Sequence, residues 1–318
     1  MPTILEHLPD EIFFEIFEYI PMKNLYRSFS RLNYRINSIL GSIQPRLALQ
    51  YLKPNEIHDP SVIFFANCIR KLSIWHSNSL NLINFSNIRS LELEHPTIKQ
   101  LNEIRPHTIP QLEYLRINNN NTRLPGNVFY ELCHSIFSGE FSHLHTCILN
   151  NVQFDCQWSL LSCKLRSIQV NVKNCQDLSY LLNICPELIR LKVMLDDEYF
   201  HFHYSNISQT LCRLDLYLRI NNWSCEELES LLIIMPNLKY LSIETPFGQR
   251  SQMTVESLAN VLRKCTPLLE NFFINTIFKK QSLTDDIHQL HPLFKVIRVI
   301  QAVTTRADHI TISSKINR

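Results

Sequence analysis

The sequence predicts an α/β chain in three parts: a helical module over residues 1–44, a linking and capping segment over 45–68, and a curved array of stacked strand–helix units over 69–318. Three observations predict it. A strand-like apolar spacing recurs along most of the chain, a helix-like spacing recurs in phase with it, and the N-terminal residues follow helix spacing alone.

The strand signal is Leu-x-x-Leu-x-Leu, with Ile, Val, Phe or Cys admitted at the apolar slots. It occurs at Ile69-Leu72-Ile74, Ile88-Leu91-Leu93, Leu112-Leu115-Ile117, Leu144-Cys147-Leu149 and Leu165-Ile168-Val170. It continues at Leu188-Leu191-Val193, Leu211-Leu214-Leu216, Leu238-Leu241-Ile243, Leu269-Phe272-Ile274 and, less regularly, Phe294-Ile297-Val299. Successive copies start about 25 residues apart on average, inside the range of repeat arrays.

The helical signal sits between strands. Leu178, Leu181, Leu182 and Cys185 fall at i, i+3, i+4 and i+7, followed by Pro186 and the strand from Leu188. Leu228, Leu231, Leu232 and Met235 repeat that spacing ahead of Pro236 and Leu238, and Leu258, Val261, Leu262 and Cys265 repeat it ahead of Pro267 with one extra residue before Leu269. Proline lacks an amide donor and disfavours helix in the residue before it, so each helix is expected to stop there and turn into a strand. Ser224 with Glu227 reads as a capping box for the second helix. One such unit cannot bury both its apolar faces, whereas stacked neighbours share a continuous core with parallel strands on the concave side and helices on the convex side.

The N-terminal module follows a different period. Pro9 suits a helix start, Asp10 and Glu11 suit its positive end, and Pro21 marks its close. Ile12, Phe13, Ile16, Phe17 and Ile20 form a broad apolar stripe, Glu11, Glu15 and Glu18 line the other side, and Phe14 is expected to lie exposed beside those acids. Met22 to Phe29 and Arg31 to Ile43 supply Leu25, Phe29, Leu32, Ile36, Ile39 and Leu40 at helical spacing. Three helices of this length make a small core, so part of their stability is expected from a partner.

Leu8-Pro9-Asp10-Glu11-Ile12, then Ile16-Phe17-Glu18-Tyr19-Ile20-Pro21, then Leu25, resemble the F-box signature. The resemblance implies docking to the Skp-type adaptor of a cullin-RING (SCF-type) ubiquitin ligase through the matching positions Leu8, Pro9, Ile12, Ile16, Phe17, Ile20, Pro21 and Leu25. Tyr34 stands nearest to the aromatic of the family's third helix. Residues 69–300 resemble the leucine-rich-repeat part of F-box proteins, with the Asn usual after the strand kept at Asn120 and replaced by Pro96, Asp196 and Pro246 elsewhere. Together these imply an F-box-like module followed by an irregular leucine-rich-repeat solenoid: a substrate-recognition subunit whose repeats hold a target protein. The same residues admit a plainer reading, in which the helices cap the array and the chain is an interaction scaffold unrelated to ubiquitin.

Composition narrows the other classes. A formal net charge of +2 argues for neither nucleic acid nor an anionic membrane as partner. The N-terminus lacks a basic region followed by an apolar run and the longest apolar run, Leu231 to Met235, is too short to span a bilayer, so a cytosolic or nuclear site is expected. The ten cysteines contain no Cys-x-x-Cys and read as small buried hydrophobes. With only Gly41, Gly126, Gly139 and Gly248, and no Gly-x-Ser-x-Gly or His-Glu-x-x-His, the chain is expected to be no enzyme and to need no cofactor. His201 with His203, or His143 with His145, would share a strand face, but neither pair has an identifiable third ligand, so no metal is expected. The sequons at Asn84, Asn206 and Asn222 are chance matches in a chain without a signal, and Asn118 to Asn121 reads as a polar loop.

Side chains alternate across a strand, so the positions between the strand leucines face the concavity. They present Trp75, Tyr114, Arg116, Arg190, Lys192, Arg213, Asp215, Tyr217, Tyr240 and Glu244. Aromatics and arginine are the residue types that anchor interfaces. Arg190, Lys192 and Arg213 on successive strands suit an acidic or phosphorylated segment, and a mixed solvated face is the plain alternative.

Overall fold

The computed structural model of the chain describes residues 7–42, 48–52, 59–75, 80–118, 126–154, 163–196, 207–219, 223–245, 253–277, 287–298 and 309–313. It is α/β and divides into two compact units, residues 1–132 with 141–144, and 133–140 with 145–318.

The first unit opens with α1 (Asp10–Glu18), α2 (Met22–Phe29) and α3 (Tyr34–Ser42). Pro9 and Pro21 are the residues immediately before α1 and α2, where a missing amide donor costs nothing. Arg31 takes a left-handed φ of 66° to turn the chain between α2 and α3, and its N–H donates to Asn37 Oδ1 at 2.9 Å. Asn33 Oδ1 then accepts from the Ile36 N–H at 2.8 Å, capping the start of α3.

Phe13, Phe17, Leu25, Ile36, Ile39 and Leu40 form the core of these helices. The Phe13 and Phe17 rings lie 5.5 Å apart, and Phe17 and Phe29 meet edge to face at 4.8 Å. Phe14, expected to lie exposed, instead packs half-buried against this core. The helix turns it past the acidic side far enough to reach the aromatic cluster. The core also does not end at residue 44, because Phe65 and Cys68 belong to the same cluster.

Asp59 ties the following segment to α2. Its carboxylate accepts from the Ser61 amide at 3.0 Å, capping α4 (Pro60–Phe64), accepts from Ser61 Oγ at 2.7 Å, and pairs with Lys23 Nζ at 3.2 Å. The Ser61 hydrogen bonds, then Lys23, hold its pKa at about 2 against an ordinary 3.8. A carboxylate depressed on folding stabilises the chain above its unfolded pKa and loses that contribution as pH falls through the folded value. Stability is therefore expected to drop between about pH 4 and pH 2 partly through this group, and Asp59→Asn should flatten the drop. Thermal melting across that window checks it; parallel acid limbs for parent and variant would contradict it.

Four strands complete the unit: β1 (Ala48–Leu52), β2 (Lys71–Trp75), β3 (Ser90–Glu94) and β4 (Tyr114–Asn118), each parallel to the next. β1 lies in the segment read as a linker and cap. Between β3 and β4, α5 (Ile98–Glu103) starts at a reciprocal cap of Thr97 with Gln100. The division between the units falls inside α6 (Gly126–Phe137).

The second unit carries β5 (Thr146–Phe154), β6 (Ser167–Val172), β7 (Arg190–Leu195), β8 (Arg213–Leu218), β9 (Tyr240–Glu244) and β10 (Asn271–Ile277), parallel and in chain order. Three helices fall where the spacing places them: α7 (Cys175–Ile184), α8 (Cys225–Leu232) and α9 (Val255–Cys265). Ser224 and Glu227 cap α8 reciprocally, with Glu227 Oε2 accepting from the Ser224 N–H at 2.6 Å. Leu178, Leu181, Leu228, Leu231, Leu258 and Leu262 are all fully buried.

The tenth copy of the strand pattern departs from the other nine. Phe294 sits in a short 3-10 turn over Pro292–Val296, and after a four-residue α10 (Ile287–Leu290) only the two-residue β11 (Ile297–Arg298) forms. It pairs antiparallel with β12 (His309–Ser313), which itself runs antiparallel to β10. The chain thus reverses after the ninth copy and covers the edge of β10, which would otherwise expose unpaired backbone groups. Val299 lies outside the described residues.

Seven of the nine described cysteines are buried and two, Cys212 and Cys225, are half-buried. The buried ones are Cys68, Cys133, Cys147, Cys163, Cys175, Cys185 and Cys265, and desolvation pushes the Cys133 thiol up to about 12. Among the described residues no helix is long and apolar enough to cross a membrane.

Candidate interaction surfaces

Two kinds of surface gather the residues singled out in the sequence: one on α1 in the first unit, and the sheet face of each unit taken by itself. The first is on α1. Its apolar arc is wider than its core can cover: Phe13 and Phe17 are 1% and 2% exposed, whereas Ile12, Ile16 and Tyr19 are 37%, 38% and 88% exposed. Those three fall at i, i+4 and i+7, so they form one continuous strip along the helix. Glu11, Glu15 and Glu18, also exposed, flank it at the same spacing. The strip is an apolar surface with an acidic rim.

The eight positions expected to dock on an adaptor divide by burial. Pro9, Ile12, Ile16 and Pro21 are exposed, Leu8 and Ile20 are half-buried against the core, and Phe17 and Leu25 are inside it. Phe17 and Leu25 therefore act by shaping the module rather than by offering surface. Arg35 on α3 locks the entry to α1: its Nη2 donates to Asp10 Oδ1 and to the Leu8 carbonyl, both at 2.6 Å. Tyr34, at the first turn of α3, is 89% exposed, and Leu32 before it is 56% exposed. Pattern reading did not mark Tyr19, Leu32 or Arg35 for these roles; the i, i+4, i+7 relation of Ile12, Ile16 and Tyr19 was the available signal.

The second surface is the sheet face opposite the strand leucines. In a parallel sheet whose spatial order is its chain order, connections of one hand all pass on one face and leave the other to the strands alone. All ten residues expected on that face, Trp75, Tyr114, Arg116, Arg190, Lys192, Arg213, Asp215, Tyr217, Tyr240 and Glu244, are exposed or half-buried, and the strand residues between them are buried except for Met194. Met194 lies on the same face, paired with Tyr217.

In the first unit the charges on this face answer one another. Lys71 pairs with Glu92 at 3.4 Å, Arg116 with Glu94 at 3.7 Å, and Asn118 Nδ2 donates to Glu94 Oε2 at 2.5 Å. Such exposed pairs stabilise by at most about 1 kcal/mol, so they orient side chains more than they hold the fold. The Trp75 side chain is 52% exposed at the end of β2.

In the second unit the register sets Arg190 beside Arg213 and Arg213 beside Tyr240 on adjacent strands. Arg213 Nε donates to Asp215 Oδ2 at 2.7 Å, and its guanidinium lies 4.1 Å from the Tyr240 ring centroid, a cation–π contact. The Asp215 hydrogen bond raises the Arg213 pKa above its ordinary value. Arg190 and Lys192 stand exposed on β7. The Arg166 carbonyl, just ahead of β6, accepts from the Ile189 and Arg190 amides at 2.9 and 3.0 Å and fixes the start of the β6–β7 pairing.

Among the described residues no cluster of three or more His, Cys, Asp or Glu side chains is arranged to hold a metal ion. His143 and His145 are exposed, while His201 and His203 lie outside the described residues. No protein-family model matches the chain and no curated protein matches it.

Proposed function

We propose that this chain is a non-catalytic substrate-recognition subunit of an SCF-type ubiquitin ligase, working in the cytoplasm or nucleus. The helices α1 to α3 act as an F-box-like module that docks on the Skp-type adaptor, and the leucine-rich repeats present a target protein. The observation that carries the reading is the α1 strip: a three-helix module leaves Ile12, Ile16 and Tyr19 uncovered next to its own core. Burying that strip on a partner removes apolar area from water at roughly 25 cal/mol per Å². The open sheet face of the second unit, with Tyr217, Tyr240 and the arginines, supplies anchor residue types for a target. Ubiquitin transfer would then be accelerated by proximity alone.

A second reading, the solenoid cap of an interaction scaffold, is favoured by one observation. Phe65 and Cys68 share the core of the three helices, which ties the module to the strands that follow. A pull-down of the intact chain from a eukaryotic lysate separates the two. The docking reading expects the Skp-type adaptor and a cullin in stoichiometric yield; their absence leaves the cap.

A further inference from the structure

We propose that Cys163 and Cys185 form a dithiol–disulfide couple, a site of reversible oxidation by peroxides. Their Sγ atoms are 2.9 Å apart in a buried setting, with residue exposures of 1% and 0%. Even carbon atoms, which are smaller than sulfur, settle about 3.5 to 4.0 Å apart in ordinary contact. The backbone brings the two together independently of the side chains: the Cys163 N–H donates to the carbonyl of Ile184 at 2.9 Å, one residue before Cys185. Cys163 leads into β6 and Cys185 closes α7, so a bond between them would staple one strand–helix unit at its two ends.

The pair is asymmetric in a way that suits the chemistry. The hydrogen bond from Cys185 pulls the Cys163 thiol below its ordinary pKa, while burial pushes the Cys185 thiol well above it. The thiolate is the reactive form. Cys163 is therefore the attacking sulfur and Cys185 the resolving one. The Cys163 thiolate attacks a peroxide oxygen, an S–O bond forms, the O–O bond breaks, and the departing alkoxide or hydroxide takes up a proton. The Cys185 sulfur then attacks the sulfenic sulfur, the S–S bond forms, the S–O bond breaks, and hydroxide leaves as water with the Cys185 proton. Two thiols and one peroxide thus give one disulfide, one water and one alcohol or second water, with two electrons passing from sulfur to oxygen. Because both sulfurs are buried, reaction proceeds through local opening of the fold.

The experiment treats the intact chain with hydrogen peroxide, alkylates the remaining thiols after denaturation, and maps all ten cysteines by mass spectrometry. The expected product is a peptide joining Cys163 to Cys185 that a dithiol reductant separates. In Cys185→Ser the sulfenic acid at Cys163 should accumulate and react with a cyclic diketone. In Cys163→Ser the residue at 185 should remain an alkylatable thiol. Full alkylation of both cysteines after peroxide, or a disulfide pairing either of them with another cysteine as the main product, would overturn the proposal. The parent chain alone decides this, so a variant that fails to fold leaves the test intact.

Discussion

Phe17→Ala is expected to cost about 3 to 5 kcal/mol, the range for emptying a buried phenylalanine site. Phe17 is 2% exposed, touches the Phe13 and Phe29 rings, and sits where α1 meets α2. A small three-helix core has little other material to close around the cavity. The cost is a large share of the roughly 5 to 15 kcal/mol that holds a domain folded, so the module should lose its helical signal well below the melting temperature of the parent. Differential scanning calorimetry with circular dichroism reads the effect. A melt within 0.5 kcal/mol of the parent, roughly the spread of neutral surface changes, would show that Phe17 is not a core residue.

Leu231→Ala is the matching change in the second unit, expected to destabilise by about 2 to 5 kcal/mol. Leu231 is fully buried on α8, while Ile233, two residues on, is 54% exposed. Ile233→Ala, at the residue that closes the same helix, supplies the control: it should fall within roughly 0.5 kcal/mol of the parent. Equal costs for the two would mean that the helix is rotated from the face given by its spacing.

The array was legible because one constraint repeats. Nine copies of the strand pattern land on parallel strands, since a leucine at each inward position is needed wherever a strand is covered on one face only. Proline after each helix was equally readable: Pro186, Pro236 and Pro267 follow α7, α8 and α9 as the loss of an amide donor requires. The tenth copy misled because local spacing carries no information about strand direction, and Ile297 pairs antiparallel with β12. β1 escaped notice for the opposite reason. Its register shifts between Leu49 and Leu52, so the run Ala48–Leu52 never shows the regular spacing of its neighbours.

At the surfaces, the parity rule for strands picked out ten positions that are all exposed or half-buried, because alternation along a strand is a property of the backbone alone. It could not foresee which charges pair, as with Arg213 and Asp215 two residues apart on one strand, since that depends on side-chain rotamers. On α1 the stripe was visible, yet its division into core and surface was not. Which edge of a wide apolar arc is buried depends on where α2, α3 and Phe65 pack, and those contacts lie far along the chain.

Titration of purified Skp-type adaptor against the intact chain, its Ile12→Ala, Ile16→Ala double variant and the Arg190→Ala, Lys192→Ala double variant tests the central claim most directly. Both isoleucines are more than a third exposed and alanine favours helix, so the first variant keeps its fold, which circular dichroism verifies. The account predicts saturable binding by the parent, a loss of about 2 kcal/mol or more in the α1 variant, which is beyond tenfold in affinity, and parental affinity in the sheet-face variant. No binding by the parent, or unchanged affinity in a folded α1 variant, would contradict it.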